Sequence, residues 1–398
     1  MLDSPKTTSV KPDLNNTTIA FAHLSDTELR QAYWLFRILG QALVVQLGPN
    51  LADFALKFHL PVQTLIKKTI FSHFCGGESI EACMPRIEAL ARYGIGTILD
   101  FAREGGGREE GFDTVRDEVL RTIDWAAQHR SIPFAVFKPS AVARLELLAK
   151  RDRGETLHTA EQAAWQRVRA RFEAICASAA AKKVPVMIDA EESWIQDSVD
   201  QLAQEMMQRF NRQETIVYNT IQLYRHDRLD YLHNTLQHAR EHNYQLGLKL
   251  VRGAYLEKEN KIAAAEGRPS PLNASKEATD RLYDQALNLC TNNLDRIAFV
   301  AGTHNERSVL LLIDLMLKKG LAPSDPRISF AQLLGMSDHI SYNLASAGFR
   351  VAKYVPYGTV AELLPYLTRR AQENSSVAGQ SSRELSLLIR EMRRRRLK

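Results

Sequence analysis

Near the C-terminus, Tyr366, Arg369, Arg370 and Glu373 recur at i, i+3, i+4 and i+7 within PYLTRRAQEN, a spacing that predicts one face of a helix. Paired guanidinium forks suit a carboxylate or a phosphate, because each offers planar, parallel donors that a lysine ammonium does not. Val360, Leu363, Leu367 and Ala371 form the adjoining face, so the helix is expected to dock on the protein and hold the arginines still. Two readings stand at this point. The face is an anion clamp, or it is a solvated helix surface on which Glu373 answers Arg369 and Arg370 at i+4 and i+3.

A second cluster is KLVRGAYLEKEN, running from Lys249 to Asn260. On an extended chain Lys249 and Val251 share one side, Leu250 and Arg252 share the other, and Gly253 permits close backbone approach before Ala254 and Tyr255. A cation, a glycine and an aromatic in that order suit a phosphate with an attached planar ring; a basic strand end turning at a glycine is the alternative. No Walker-type phosphate loop occurs and no GxGxxG follows a predicted strand, so a Rossmann dinucleotide site is unsupported. His304 lacks a second histidine at ligand spacing and Glu191 and Glu192 point in divergent directions, so no metal site is expected.

These residues need a scaffold. Residues 1–20, with Pro5 and Pro12, are polar and read as a flexible or wrapping arm. Residues 21–92 read as helical: Ser25 precedes Glu28 by three positions, a capping-box signal, and further helices are predicted from Leu51 to Phe74 and from Ser79 to Arg92. Beyond them short apolar runs alternate with amphipathic segments. Strands are predicted to begin at Gly94, Pro133, Val184, Thr215, Leu246, Arg296, Arg327 and Phe349, with helices between them. Eight strand–helix units match a (β/α)8 TIM-type barrel, whose usual size is about 250 residues, here expected over residues 93–376 in distorted form. A doubly wound open sheet is the second option. Polar residues follow successive strands: Asp100, Lys138, Asp189 with Glu191 and Glu192, Gln222 and Tyr224, Arg252, Thr303 with His304 and Asn305, Gln332, and Tyr354. In a closed barrel those ends converge on one mouth, which favours the barrel and a site at its rim.

The 398 residues, 45% hydrophobic and 25% charged, are those of a globular protein with a sizeable core. The net charge of +6 owes much to the tail at 377–398, where Arg383, Arg390 and the run Arg393 to Arg396 accompany Leu385, Leu387, Leu388, Ile389 and Met392. This basic amphipathic tail is expected to touch an anionic surface or to be a solvated helix end. Four scattered cysteines, Cys75, Cys83, Cys176 and Cys290, exclude a disulfide framework and point to a reducing, cytoplasmic compartment, with peripheral membrane contact a further expectation. No apolar run is long enough to span a bilayer, and the N-terminal residues have no signal-peptide core.

The segments ILDFAREG, FKPSAV, MIDAEES, KLVRGAYLEKEN, GTHNERSV, FAQLLGMSDHIS and YVPYGTVAELLPYLTRRAQENSS resemble, in order and in barrel position, those of proline dehydrogenase, the FAD-dependent enzyme of proline catabolism. The resemblance runs from about Tyr93 to Ser376, and the leader is similar to that of the monofunctional, mitochondrial-like branch without an aldehyde dehydrogenase domain. It implies oxidation of L-proline to Δ1-pyrroline-5-carboxylate, with electrons passed to a quinone. It implies that Arg369, Arg370 and Lys138 bind the substrate carboxylate. Tyr255, Leu334, Tyr354 and Tyr366 would line the ring, with Asp189 bonded near Tyr354. Gln222, Lys249 and Val251 would contact the isoalloxazine; Arg252 and Arg370 would lie near the pyrophosphate; Gly253, Ala254, Thr303 and His304 would serve the FAD site; and Glu373 would serve it or brace the arginines. Leu256 stands where some relatives carry a tryptophan, which departs from their adenine contact. Hydroxyproline dehydrogenase is the nearest alternative, and Tyr354 favours proline because that branch tends to have a small residue there. A non-catalytic basic protein binding nucleic acid is the alternative from another class, and the absence of aromatics among the terminal arginines argues against it.

Overall fold

The computed structural model describes residues 11–39, 67–103, 108–376 and 380–397, the side chains of 67–68, 371–376 and 380–382 excepted. Eight parallel strands close into a barrel in sequence order. They are β1 (Ile95–Phe101), β2 (Phe134–Phe137), β3 (Val186–Ile188), β4 (Val217–Gln222), β5 (Leu246–Val251), β6 (Ile297–Gly302), β7 (Ile328–Leu333) and β8 (Val351–Tyr357). Closure is made by β1 and β8, paired from Ile95↔Val351 to Phe101↔Tyr357. The barrel replaces the open-sheet alternative. Its irregularity lies in β2 and β3, which stop short because Pro139 opens a short helix at Pro139–Val142 and the chain after Ile188 turns into the loop bearing Asp189.

Parallel strands buried on both faces read as near-continuous apolar runs, and alternation sorts their side chains. Ile98, Phe134, Val136, Met187 and Tyr218 fill the lumen, while Ile95, Leu99, Ala135 and Leu248 belong to the core between barrel and helices. Gly247 makes room for the lumen: a Cβ there would stand 2.8 Å from the Tyr218 ring and 2.3 Å from the Val217 carbonyl oxygen.

The described residues of both terminal segments pack on the body of the protein. Of the residues expected to form an arm, 11–20 are packed: Lys11 Nζ bonds Asp314 at 2.8 Å, Leu14 and Ala20 are buried, and Thr17–Ala20 is a helix capped by Asn16. The helix Asp26–Leu39 opens with the capping box read from the sequence, Ser25 N donating to Glu28 Oε2 at 2.8 Å. The helix predicted from Leu51 lies largely outside the described residues; its last part is a π-turn at Lys67–Phe71 and a helical turn at Ser72–Phe74, ahead of the helix Ile80–Ala91.

The C-terminal helix Gln380–Arg394, expected from the sequence to touch an anionic surface or to be a solvated helix end, docks its apolar face on the N-terminal helices. Leu387 and Leu388 are buried against Phe21, Leu29 and Phe36, each such burial being worth about 1.5–3 kcal/mol. Arg395 bonds the carbonyl oxygens of Phe21 and Leu24 and the carboxylate of Glu391. The apolar face is therefore spent inside the protein, leaving Arg390, Arg393 and Arg396 exposed. Among the described residues no helix is long and apolar enough to cross a membrane.

Candidate active site at the barrel mouth

Side chains directed into the lumen at the C-terminal strand ends form the floor of the mouth. Tyr354 belongs to the lumen cluster, and by alternation Asp100, Lys138, Asp189, Gln222, Lys249 and Val251 fall on the same inward parity of their strands and strand-end loops. Lys138 Nζ, on the loop after β2, bonds both oxygens of Asp100 on β1 at 2.6 and 2.7 Å. Asp100 is visible in the sequence as a strand-end carboxylate but not as this lysine's partner.

Across the mouth, Tyr354 Oη donates to Asp189, 2.8 Å from each carboxylate oxygen. Lys249 Nζ bonds the same carboxylate, reaches Tyr354 Oη at 3.3 Å and lies 4.8 Å from the ring centroid. Burial and then the Asp189 and Asp100 charges hold the phenol well above its ordinary pKa, so it stays a hydrogen-bond donor. Behind the floor, Glu191 accepts from Ser140 N at 2.8 Å and Ser140 Oγ at 2.5 Å, tying the Lys138 loop down. Burial pushes the Glu191 carboxyl up to about 7.

The roof is the helix Val360–Ser376, started by a capping box between Thr359 and Glu362. Its buried residues Val360, Leu363, Tyr366 and Leu367 pack on Leu39, Phe71 and Phe74. The N-terminal region thus carries the roof. Arg370 is buried with its guanidinium 5.1 Å from the Tyr366 ring centroid, and Arg369 stands 5.8 Å from the ring centroid of Tyr255. The helix closes over the mouth with its arginines toward the tyrosine beyond Gly253 and Ala254. The helix is docked through its apolar face, with Arg370 buried and Arg369 partly exposed. Glu373 lies on a helical turn whose side chains are outside the described set.

One wall residue is corrected. Leu334 is expected from the sequence beside Tyr354 and Tyr366, but it joins the outer core, whereas Leu333 packs against both the lumen cluster of Tyr354 and the roof cluster of Tyr366. The pairing Leu333↔Tyr354 fixes this. Alternation along Ser329, Ala331 and Leu333 carries the signal, since a shift of one residue moves a strand side chain to the opposite face.

The β4–β6 side holds the other expected contacts. Arg252 donates to Asp280 at 2.7 Å, Thr303 Oγ1 at 2.7 Å and Ser308 at 3.0 Å, with its guanidinium 4.3 Å from the Tyr283 ring centroid. Gly253 has φ +139°, and a Cβ there would lie 2.5 Å from the Tyr224 ring, so only glycine fits. His304 bonds Ser337 Oγ at 2.9 Å through Nδ1. Burial first, then the charges of Lys353, Arg370, His339 and Arg252, pull its pKa down to about 3, leaving the ring neutral. Leu256, after Tyr255, is 56% exposed. Among the described residues no cluster of histidine, cysteine or acidic side chains is suited to a metal.

The proline dehydrogenase family profile matches residues 83–383. The chain belongs to this family. It is 38% identical over 325 residues to the carbapenem antibiotics biosynthesis protein CarD of Pectobacterium carotovorum subsp. carotovorum, covering 81% of this chain and 84% of that one. It is 40% identical over 238 residues to human mitochondrial proline dehydrogenase 1, covering 59% of this chain and 40% of the human one. A hydroxyproline dehydrogenase of Xenopus laevis is 31% identical over 366 residues, covering 83% of this chain and 78% of that one. Among solved structures, proline utilization A of Bdellovibrio bacteriovorus superposes with a TM-score of 0.72 at 18% identity, over 94% of this chain and 40% of that one. That likeness concerns the fold of the barrel; the chain spans well under half of that protein and of the human one.

Proposed function

We propose that this protein oxidises L-proline to Δ1-pyrroline-5-carboxylate, with FAD held over the ends of β4–β6 and the substrate between that cofactor and the roof helix. The observation that carries the reading is the docking of Val360–Ser376 across the mouth, which sets Arg369 beside Tyr255 and buries Arg370 against Tyr366.

The residues of the β4–β6 side fit a flavin. Gln222 is buried; its Nε2 donates to the Glu191 carbonyl oxygen at 2.6 Å, which fixes the amide orientation, and its Oε1 has no partner among the described residues. A buried acceptor in that condition suits a ligand N–H such as a flavin imide. Gly302 on β6 keeps a ledge open, since a Cβ there would lie 3.1 Å from Val251 Cγ1. Gln222, Lys249 and Val251 would hold the ring system, while Arg252, with Thr303 and Ser308 aligning its guanidinium, would face the phosphates.

FAD bound there supplies the hydride acceptor. This chain's residues do the rest. Arg369, Arg370 and Lys138 neutralise the substrate carboxylate, and Tyr255, Tyr354, Tyr366 and Leu333 wall the ring so that C5 faces the cofactor and water is excluded. Tyr354, kept protonated and tied to Asp189, occupies space that a 4-hydroxyl would need, which favours proline over hydroxyproline. Delivery of the electrons to a quinone and a cytoplasmic setting belong to the same proposal, the latter supported by four buried free thiols. The test is direct: the purified protein is expected to be yellow and to bleach anaerobically when L-proline is added. Protein that stays colourless after reconstitution with FAD overturns the proposal.

A further inference from the structure

The loop after β7 is held from outside the barrel. Ser337, fully buried, adopts φ 53° and ψ 42°, a left-handed conformation uncommon for a residue with a side chain. Its N–H donates to the carboxylate of Glu384, which reaches in from the C-terminal helix and is itself buried. Its Oγ meets His304 Nδ1 at 2.9 Å, and its carbonyl oxygen accepts from Ile340 N and Ser341 N. Ser341 Oγ continues to Gln332 Oε1 at 2.9 Å, and Gln332 Nε2 to the Thr303 carbonyl oxygen at 3.1 Å. The neighbouring Arg383 grips Glu306, two residues after His304, with contacts of 2.7 and 3.2 Å, and His339 Nε2 meets the same carboxylate at 3.0 Å. Adjacent residues of one helix therefore secure both loops that flank His304.

We propose that Glu384 is a positioning residue for the cofactor end of the mouth: its carboxylate fixes the Ser337 peptide, and Ser337 fixes the His304 ring. The inference rests on the flavin reading above. A bond to Nδ1 sets the tautomer and rotation of an imidazole, and so decides what Nε2 offers a ligand. The C-terminal helix then belongs to the flavin site although none of its residues needs to touch the flavin.

The test uses the full-length protein reconstituted with FAD, comparing the parent with Glu384→Gln, Glu384→Ala and Ser337→Gly. Glu384→Ala leaves the buried Ser337 N–H without its acceptor and is expected to raise the FAD dissociation constant by about tenfold or more. It is also expected to alter the flavin's visible absorbance and circular dichroism and to lower kcat for proline more than it raises KM. Glu384→Gln keeps an oxygen at the same reach and is expected within about threefold of the parent. Ser337→Gly keeps the N–H and relaxes the backbone but removes the partner of His304, so its flavin spectrum is expected to shift in a folded protein. An unchanged flavin spectrum in either Glu384→Ala or Ser337→Gly, or a Gln variant as impaired as the Ala variant, overturns the inference. A parent that binds no FAD fails the functional proposal itself, before any variant is compared.

Discussion

On the strand side of the mouth, Lys138 and Lys249 each reach a carboxylate from another strand end, Asp100 and Asp189. On the helix side, Arg369 and Arg370 are placed by a docked helix and lie near the rings of Tyr255 and Tyr366. The strand-borne cations are fixed by register, so their geometry is as rigid as the barrel. The helix-borne arginines depend on what the helix packs against, namely Leu39, Phe71 and Phe74 far away in sequence. Under the proposed function, orientation of the substrate ring would fall mainly to the strand side and capture of its carboxylate mainly to the helix side, with Lys138 assisting.

That division is open to attack at several points. Replacing Arg370 by alanine removes one buried partner proposed for the substrate carboxylate and is expected to lower kcat/KM for proline by roughly 1000-fold, chiefly through KM. A variant with parental KM would move carboxylate capture elsewhere. Asp189→Ala leaves Lys249 and the Tyr354 hydroxyl without their shared acceptor, and kcat/KM is expected to fall by roughly 10- to 100-fold. Here kcat should share the loss, because ring orientation suffers; a pure KM effect would erase the distinction between the two sides.

Tyr354→Ser is expected to narrow the preference for proline over trans-4-hydroxyproline by about tenfold, the order expected for removing one steric exclusion in a pocket. Unchanged relative kcat/KM would show that Tyr354 does not set specificity. Leu333→Ala should raise the KM for proline by about fivefold, while Leu334→Ala should lower thermal stability by about 2–4 kcal/mol and leave KM alone. Kinetics with the two roles exchanged would return the wall to Leu334.

The smallest effect is on acid stability. Hydrogen bonding to His339 first, together with Arg383, holds the Glu306 carboxyl down to about 2, against an ordinary 4.5. A depressed folded-state pKa contributes stability that is present above 4.5 and lost as pH falls toward 2. Urea midpoints of the parent should therefore drop between pH 5 and pH 3 more than those of Glu306→Gln, and parallel curves would remove Glu306 from the brace of the C-terminal helix.

Much of the architecture is legible in the residues. The barrel, its strand ends and the helix bearing Tyr366, Arg369 and Arg370 follow from local periodicity, which neighbours in sequence determine. The features that escape are set by partners distant in sequence. The amphipathic tail reads as a surface contact or a solvated helix end because nothing local says that Leu387 and Leu388 meet Phe21 and Phe36. The same holds for Glu384 and Ser337, and for Lys138 and Asp100, pairs joined only when the barrel closes. Leu334 is a different kind of miss: the β7 alternation contains the answer and needs only to be counted from Ser329.

The central claim is that the docked arginine helix reads the substrate carboxylate, and comparison of L-proline with L-prolinamide tests it most directly. The parent is expected to prefer proline in kcat/KM by roughly 1000-fold, and Arg369→Ala and Arg370→Ala should each collapse that preference by at least about tenfold. A parental preference retained in both variants would contradict the account and return this helix face to a surface role.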